Sequence, residues 1–144
     1  LYICNYGEAT VSVVNLVTEK EIKKINVFNR PDAIAVASSG SYVYVTSQFS
    51  GGLSIIDIRQ QVEVNRLSIT KSPIGVAAVR FPHDGREVSY VVDRDGMLSG
   101  IEMPTQIIIK NISVAASAEV LSYYPETGKF YLIDSLQSTI VILE

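Results

Sequence analysis

Histidine and cysteine each occur once in this chain of 144 residues, as His83 and Cys4. That leaves little material for nucleophilic or metal chemistry. A serine–histidine–aspartate relay needs an imidazole held by packing. His83 stands instead in His83-Asp84-Gly85, a sequence suited to a hairpin tip. A structural zinc site takes about four thiolate or imidazole ligands, and this chain supplies two. Cys4 lies in the apolar run Tyr2-Ile3-Cys4, where a small buried side chain is the expected role. A lone cysteine also excludes a disulfide within the chain. Asp93-Arg94-Asp95-Gly96 looks like the opening of a calcium loop. It lacks the later acidic ligands, the bidentate glutamate above all, so a hairpin turn is expected. Gly51-Gly52 has no following lysine for a phosphate. Asn111-Ile112-Ser113 fits the N-glycosylation triplet, which matters only in a secreted eukaryotic chain. The residues therefore predict no catalytic group, no metal site and no cofactor.

Strand-forming sequence is what this chain has in quantity. Its residues are 47% apolar and its formal net charge is −3. Such a charge gives no general attraction to nucleic acid or anionic membrane. No apolar run reaches the roughly 18 residues that span a bilayer, so no membrane insertion is expected. One phrase recurs: Tyr2-Ile3-Cys4-Asn5, Tyr44-Val45-Thr46-Ser47, Tyr90-Val91-Val92-Asp93 and Tyr131-Leu132-Ile133-Asp134 open similar stretches. The tyrosines are 42, 46 and 41 residues apart. A period of about 40–45 residues made of short strands is the mark of a β-propeller blade.

Each copy follows one order. After the tyrosine phrase comes a turn, as at Asn5-Tyr6-Gly7-Glu8, where Gly7 is expected to supply the permissive backbone. A β-branched run follows, Thr10-Val11-Ser12-Val13-Val14, then a polar turn and a more solvated strand, Glu21 to Val27. Arg30-Pro31-Asp32 is expected as a loop. Ala33-Ile34-Ala35-Val36-Ala37 is small and apolar, as the innermost strand of a blade requires. Leu53-Ser54-Ile55-Ile56-Asp57 and Pro73-Ile74-Gly75-Val76-Ala77 repeat these themes. The third copy is degraded: Gly100 stands where a packing side chain stood, and Pro104 interrupts the run. Ser117 to Leu121, the one stretch with helical character, matches the innermost strand by register.

The predicted fold is therefore an all-β propeller arc of four-stranded antiparallel blades. A partial blade covers 1–28, full blades cover 29–70 and 71–114, and a partial blade covers 115–144. The arc begins at a second strand and ends at a third. Propellers close with about 4–8 blades, so the rest of the ring is expected from a longer chain, or from a second chain.

These residues resemble the YVTN-type β-propeller repeats, whose pattern is roughly Tyr-Val-Thr-Asn, a glycine turn, Val-Ser-Val-Ile-Asp, an outer strand, Pro-x-x-Ala-Val and Pro-Asp-Gly. Tyr44-Val45-Thr46-Ser47, Leu53-Ser54-Ile55-Ile56-Asp57 and Phe81-Pro82-His83-Asp84-Gly85 carry it best. The resemblance runs along the whole chain, with departures at Ser47, Asp93 and Asp134, where the motif has Asn. The Trp-Asp signature of WD repeats cannot occur, because the chain has no tryptophan. The family includes surface-layer proteins, periplasmic propellers and propeller subunits of amine dehydrogenases, so the resemblance implies the periplasm or the cell surface. Its repeat positions are structural, and it implies no site residues.

In a propeller, the loops between blades share one face with the loops joining second to third strands. Here they carry Tyr6, Glu8, Asn29, Arg30, Asp32, Gln48, Phe49, Lys71, Arg94, Asp95 and Gln137. Loops on a rigid scaffold are where function concentrates. Tyr6, Arg30, Asp32, Gln48, Phe49, Lys71, Arg94 and Asp95 are the candidates for partner binding. Phe49 with Arg30 and Lys71 nearby would suit a protein hot spot. Tyr2, Tyr44, Tyr90 and Tyr131 share one register and are expected to pack between blades with paired hydroxyls. Glu21, Lys23, Lys24, Arg59, Glu63 and Arg66 are expected on a solvated outer rim. The expected function is a non-catalytic binding or scaffolding module whose partner is a protein, another macromolecule, or the remaining blades. Two other classes stay open. One is a propeller subunit or domain of a periplasmic oxidoreductase or lactone hydrolase, which would gather acidic or histidine groups at the axis. The other is a structural cell-surface repeat protein. Fold alone cannot separate them.

Overall fold

The computed structural model describes residues 1–103 and 105–144; the expectation for Pro104 lies outside the described residues. Four antiparallel sheets hold fourteen strands, with no α-helix among the described residues. The first sheet is β1 (Tyr2–Asn5), β2 (Thr10–Asn15) and β3 (Lys20–Asn26). The second is β4 (Pro31–Val36), β5 (Tyr42–Ser47), β6 (Gly52–Asp57) and β7 (Val62–Ser68). The third is β8 (Pro73–Arg80), β9 (Glu87–Asp93), β10 (Met97–Met103) and β11 (Ile107–Ser113). The fourth is β12 (Ala118–Tyr124), β13 (Lys129–Asp134) and β14 (Thr139–Leu143). Neighbours in each sheet are also neighbours in sequence, the meander that a blade requires.

Strand alternation builds the core as three slabs between four sheets, because successive side chains point to opposite faces. Val43 and Val45 of β5 join Val11, Val13, Ile25 and Ile56 between the first and second sheets. Tyr44 points the other way, to Leu53, Ile55, Val91 and Ile101 between the second and third. Val92, Leu98, Leu121 and Leu132 form the slab between the third and fourth. β-branched side chains fill the first of these slabs, and alanine and leucine dominate the third. Strands β4, β8 and β12 pack side by side along one rim. The rim is close enough that a Cβ on Gly75 would lie 3.0 Å from Leu121 Cβ and 3.1 Å from Val92 Cγ1.

The structure corrects several local expectations. Gly7 is not the permissive residue of its turn. The left-handed position falls at Ala9 (φ 54°), and the same slot recurs at Glu19, Gln61 and Ser138. These hairpins close with a left-handed residue at the end of the turn, so Gly7 two places earlier carries no such demand. Pro31 and Asp32 belong to β4 rather than to a loop: Pro31 pairs with Ser47 and Ala33 with Thr46 of β5, and Asp32 is the extra residue of the bulge between them. Arg59 lies in the β6–β7 turn, not on an outer strand. Glu63 is largely covered, with its Oε2 accepting from Arg66 Nε at 2.6 Å. The Arg66 guanidinium in turn sits 5.0 Å from the Phe28 ring. Among the repeated tyrosines, Tyr2, Tyr44 and Tyr90 pack toward the following sheet. Only the Tyr44 hydroxyl has a protein partner among the described residues.

Candidate functional site

Backbone hydrogen bonds lock the β1–β2, β5–β6, β9–β10 and β13–β14 turns to the segments that cross between sheets. Val27 N donates to Ala9 O at 3.0 Å, Ile69 N to Gly51 O at 3.1 Å, Arg94 N to Ser72 O at 3.0 Å and Ser135 N to Ser117 O at 2.9 Å. All these loops therefore share one face. At Gly51 the approach is so close that a Cβ would lie 2.5 Å from Thr70 O, and φ there is +66°. Only glycine satisfies both conditions. The last residue of the repeated phrase reinforces the joint with its side chain. Ser47 Oγ donates to Phe28 O at 3.3 Å. Asp134 accepts from Ala116 N at 2.8 Å and from Leu136 N and Gln137 N at 3.1 Å. Those backbone donors, Ala116 N first, hold the Asp134 carboxyl below its ordinary range. A short oxygen-bearing side chain is what this position needs, which explains Ser and Asp in place of Asn.

Six of the eight predicted residues fall into two groups on this face. Tyr6, Arg30 and Phe49 come together from three segments. The Tyr6 and Phe49 rings meet edge-on, with centroids 6.5 Å apart and planes at 74°. The Arg30 guanidinium carbon lies 4.4 Å from the Phe49 centroid and 5.8 Å from that of Tyr6. A one-turn 3-10 helix, Gln48–Ser50, lifts Phe49 into solvent, where it is 63% exposed. Gln48, Lys71 and Arg94 form the second group. With Phe49 and Ser72 they line a hollow of about 440 Å³. Turned with its oxygen toward the guanidinium, the Gln48 amide accepts from Arg94 Nε at 3.1 Å and Nη2 at 3.0 Å. Among the described residues, no ion pair involves Arg30, Lys71 or Arg94.

Asp95 lines an adjoining hollow of about 370 Å³ with Asp93, Ser99, Asn111 and Lys71, the lysine being shared between the two hollows. Asp32 is used internally: its carboxylate accepts from Thr46 Oγ1 and Ala33 N at 2.9 Å and from Gln48 N at 3.3 Å. Burial raises its pKa against the pull of those bonds. Glu8 pairs with Lys24 at 2.6 Å. His83 is exposed in the turn between β8 and β9, on the opposite face. Among the described residues, no group of three or more His, Cys, Asp or Glu is placed to hold a metal ion. No helix among them is long and apolar enough to cross a membrane.

Two arrangements escaped the sequence reading. Glu87 opens β9 on the opposite face and is buried, accepting from Tyr44 Oη at 3.2 Å and Ser39 N at 3.3 Å. Burial first, and then the Glu87 carboxylate, push the Tyr44 hydroxyl above the ordinary phenol range. The available signal was a carboxylate heading a largely apolar strand. The Gln48–Arg94 pair was missed although both residues follow the repeated phrase directly, at the register also held by Tyr6 and Ser135.

No protein-family model matches the sequence. No curated protein matches it either. Solved structures do. Hydrazine synthase of Kuenenia stuttgartiensis superposes with a TM-score of 0.79 at 19% identity, over 99% of this chain and 46% of that one. The WD40 β-propeller domain of Doa1 gives 0.76 at 14% identity, over 99% and 46%. The dihydro-heme d1 dehydrogenase NirN, in complex with DHE, gives 0.75 at 12% identity, over 99% and 32%. The fold is a β-propeller arc. At these identities the likeness is one of fold alone, and the chain spans about a third to a half of the propeller structures it matches. The YVTN resemblance has no family-model match behind it, and the superpositions show the propeller fold.

Proposed function

We propose that this propeller arc is a non-catalytic binding module that holds a protein partner on the face carrying Tyr6, Arg30 and Phe49. The exposed Tyr6–Arg30–Phe49 stack carries the proposal. Three segments converge to build it, and its rings lie outside all three core slabs. Aromatic and arginine side chains are the types that dominate binding energy at protein interfaces, and a guanidinium over a ring favours both groups when a partner excludes water. Rigid loops reduce the ordering cost of association.

The test is quantitative recovery of partners on the purified protein, comparing wild type with Phe49→Ala and Arg30→Ala. Each variant is expected to keep the wild-type urea midpoint and to lose about tenfold or more of the specifically retained protein. Equal retention by both variants would remove the stack from any interface. A second reading, the propeller domain of an oxidoreductase, draws on the likeness to hydrazine synthase and NirN. In that reading these blades support a redox centre supplied elsewhere, and the purified protein would carry a cofactor band in its visible spectrum.

A further inference from the structure

We propose that the hollow between Gln48, Phe49, Lys71, Ser72 and Arg94 is an oxyanion subsite that takes an acidic side chain of the protein partner. The inference rests on the binding-module reading and names the chemistry of what is bound. Two cations line this hollow of about 440 Å³ and no carboxylate does. Neither Lys71 nor Arg94 forms an ion pair among the described residues. The chain as a whole is negative, with a formal charge of −3, so this is a local reversal of sign. Asp93 and Asp95 lie in the adjoining hollow, which Lys71 also borders.

Arg94 is positioned before any ligand arrives. Its backbone N–H donates to Ser72 O and its carbonyl accepts from Ala118 N, both at 3.0 Å. The Gln48 amide holds its Nε and Nη2. A guanidinium carries five N–H donors in a planar fork, so donors remain after Gln48 has taken its share. A carboxylate accepting from them gains a charge-assisted bond of defined geometry, and the Lys71 ammonium adds a second, less directional attraction. Phe49 is shared by this hollow and by the Tyr6–Arg30 stack. A partner segment with an acidic residue beside an apolar one would engage both.

The test uses fluorescence anisotropy of short labelled peptide pools, with one position fixed as Glu, Gln or Lys. Glu-fixed pools are expected to bind about tenfold tighter than Gln-fixed pools, with the advantage shrinking as salt rises. Arg94→Ala and Lys71→Ala are each expected to erase most of that advantage, with thermal midpoints confirming the fold. Arg94→Lys keeps the charge and loses the fork, and should restore only part of it. The double change Lys71→Glu with Arg94→Glu should turn the preference toward Lys-fixed pools. Equal binding of Glu- and Gln-fixed pools, or an advantage that survives Arg94→Ala, overturns the subsite. If the pools bind equally yet Phe49→Ala abolishes binding of all of them, the interface stands and the subsite falls. If no pool binds, the subsite falls, and partner retention judges the interface separately.

Discussion

Burial between the first two sheets, with the Asp32 carboxylate as a second cause, pushes the Cys4 thiol up to about 11 from an ordinary 9.0. The folded state therefore favours the neutral thiol. Its contribution is fully present below the unfolded pKa near 9.0 and is lost as pH rises through about 11, because the unfolded chain ionises first. Two measurements check this. Iodoacetamide should alkylate native protein at pH 9 far more slowly than urea-unfolded protein, since the thiolate is the nucleophile. Cys4→Ala should lose less of its urea midpoint than wild type between pH 8 and 11. A native alkylation rate equal to the unfolded one would place Cys4 outside the slab. Tyr44 adds to the alkaline loss in the same direction, because burial and Glu87 raise its hydroxyl as well. Its pairing with Glu87 could not be read from the chain, since the two residues sit in different copies and meet only once the second and third sheets pack.

The register of the inner strands is tested at Gly75. A Cβ there would meet Leu121 Cβ at 3.0 Å, Val92 Cγ1 at 3.1 Å and Leu121 N at 3.2 Å. Gly75→Val should therefore overpack the junction of the third and fourth sheets and cost on the order of 1–3 kcal/mol. A denaturant titration with an unchanged midpoint would refute the close approach of β8 and β12. This strand was legible in the chain because Pro73-Ile74-Gly75-Val76-Ala77 repeats the pattern of its neighbour copy and its small residues demand close packing. The β-branched runs were legible for the same reason, since a period of two has no helical equivalent. Turn detail was not. The left-handed slot is filled by Ala9, Glu19, Gln61 and Ser138, none of which announces a positive φ by type. Asp32 looked like a loop residue because Pro31 precedes it, yet a bulge in β4 admits both. The candidate face was legible as a set of loops, because register alone assigns loops to a face. How its members divide was not, since Tyr6–Phe49 and Gln48–Arg94 are contacts between copies.

At the scale of the arc, the two outer sheets end differently. The far face of the first sheet carries a polar network beside the exposed Ile3. There Asn5 Nδ2 donates to Thr10 Oγ1 and Ser12 Oγ, and Ser12 Oγ donates to Glu21 Oε2. The far face of the fourth sheet is apolar. Cross-strand partners share a face, so Tyr131 stands beside Ile142, and Ile133 beside Ile140. Ile133, Ile140 and Ile142 are exposed, Ile140 to 68%. Tyr131 holds the register at which Tyr90 packs on Phe130 of the next sheet, with centroids 4.9 Å apart. A following blade would cover Tyr131 in the same way, and a contiguous apolar face of this kind calls for cover. Replacing Ile133 with Lys tests this in the protein as purified. With the face covered by a further blade, a buried unpaired ammonium should lower stability by roughly 2 kcal/mol or more. Wild type should then sediment as one discrete species. An unchanged urea midpoint, together with less self-association than wild type, would mean instead that the fourth sheet lies open and that Tyr131 meets water where its three counterparts meet a neighbour.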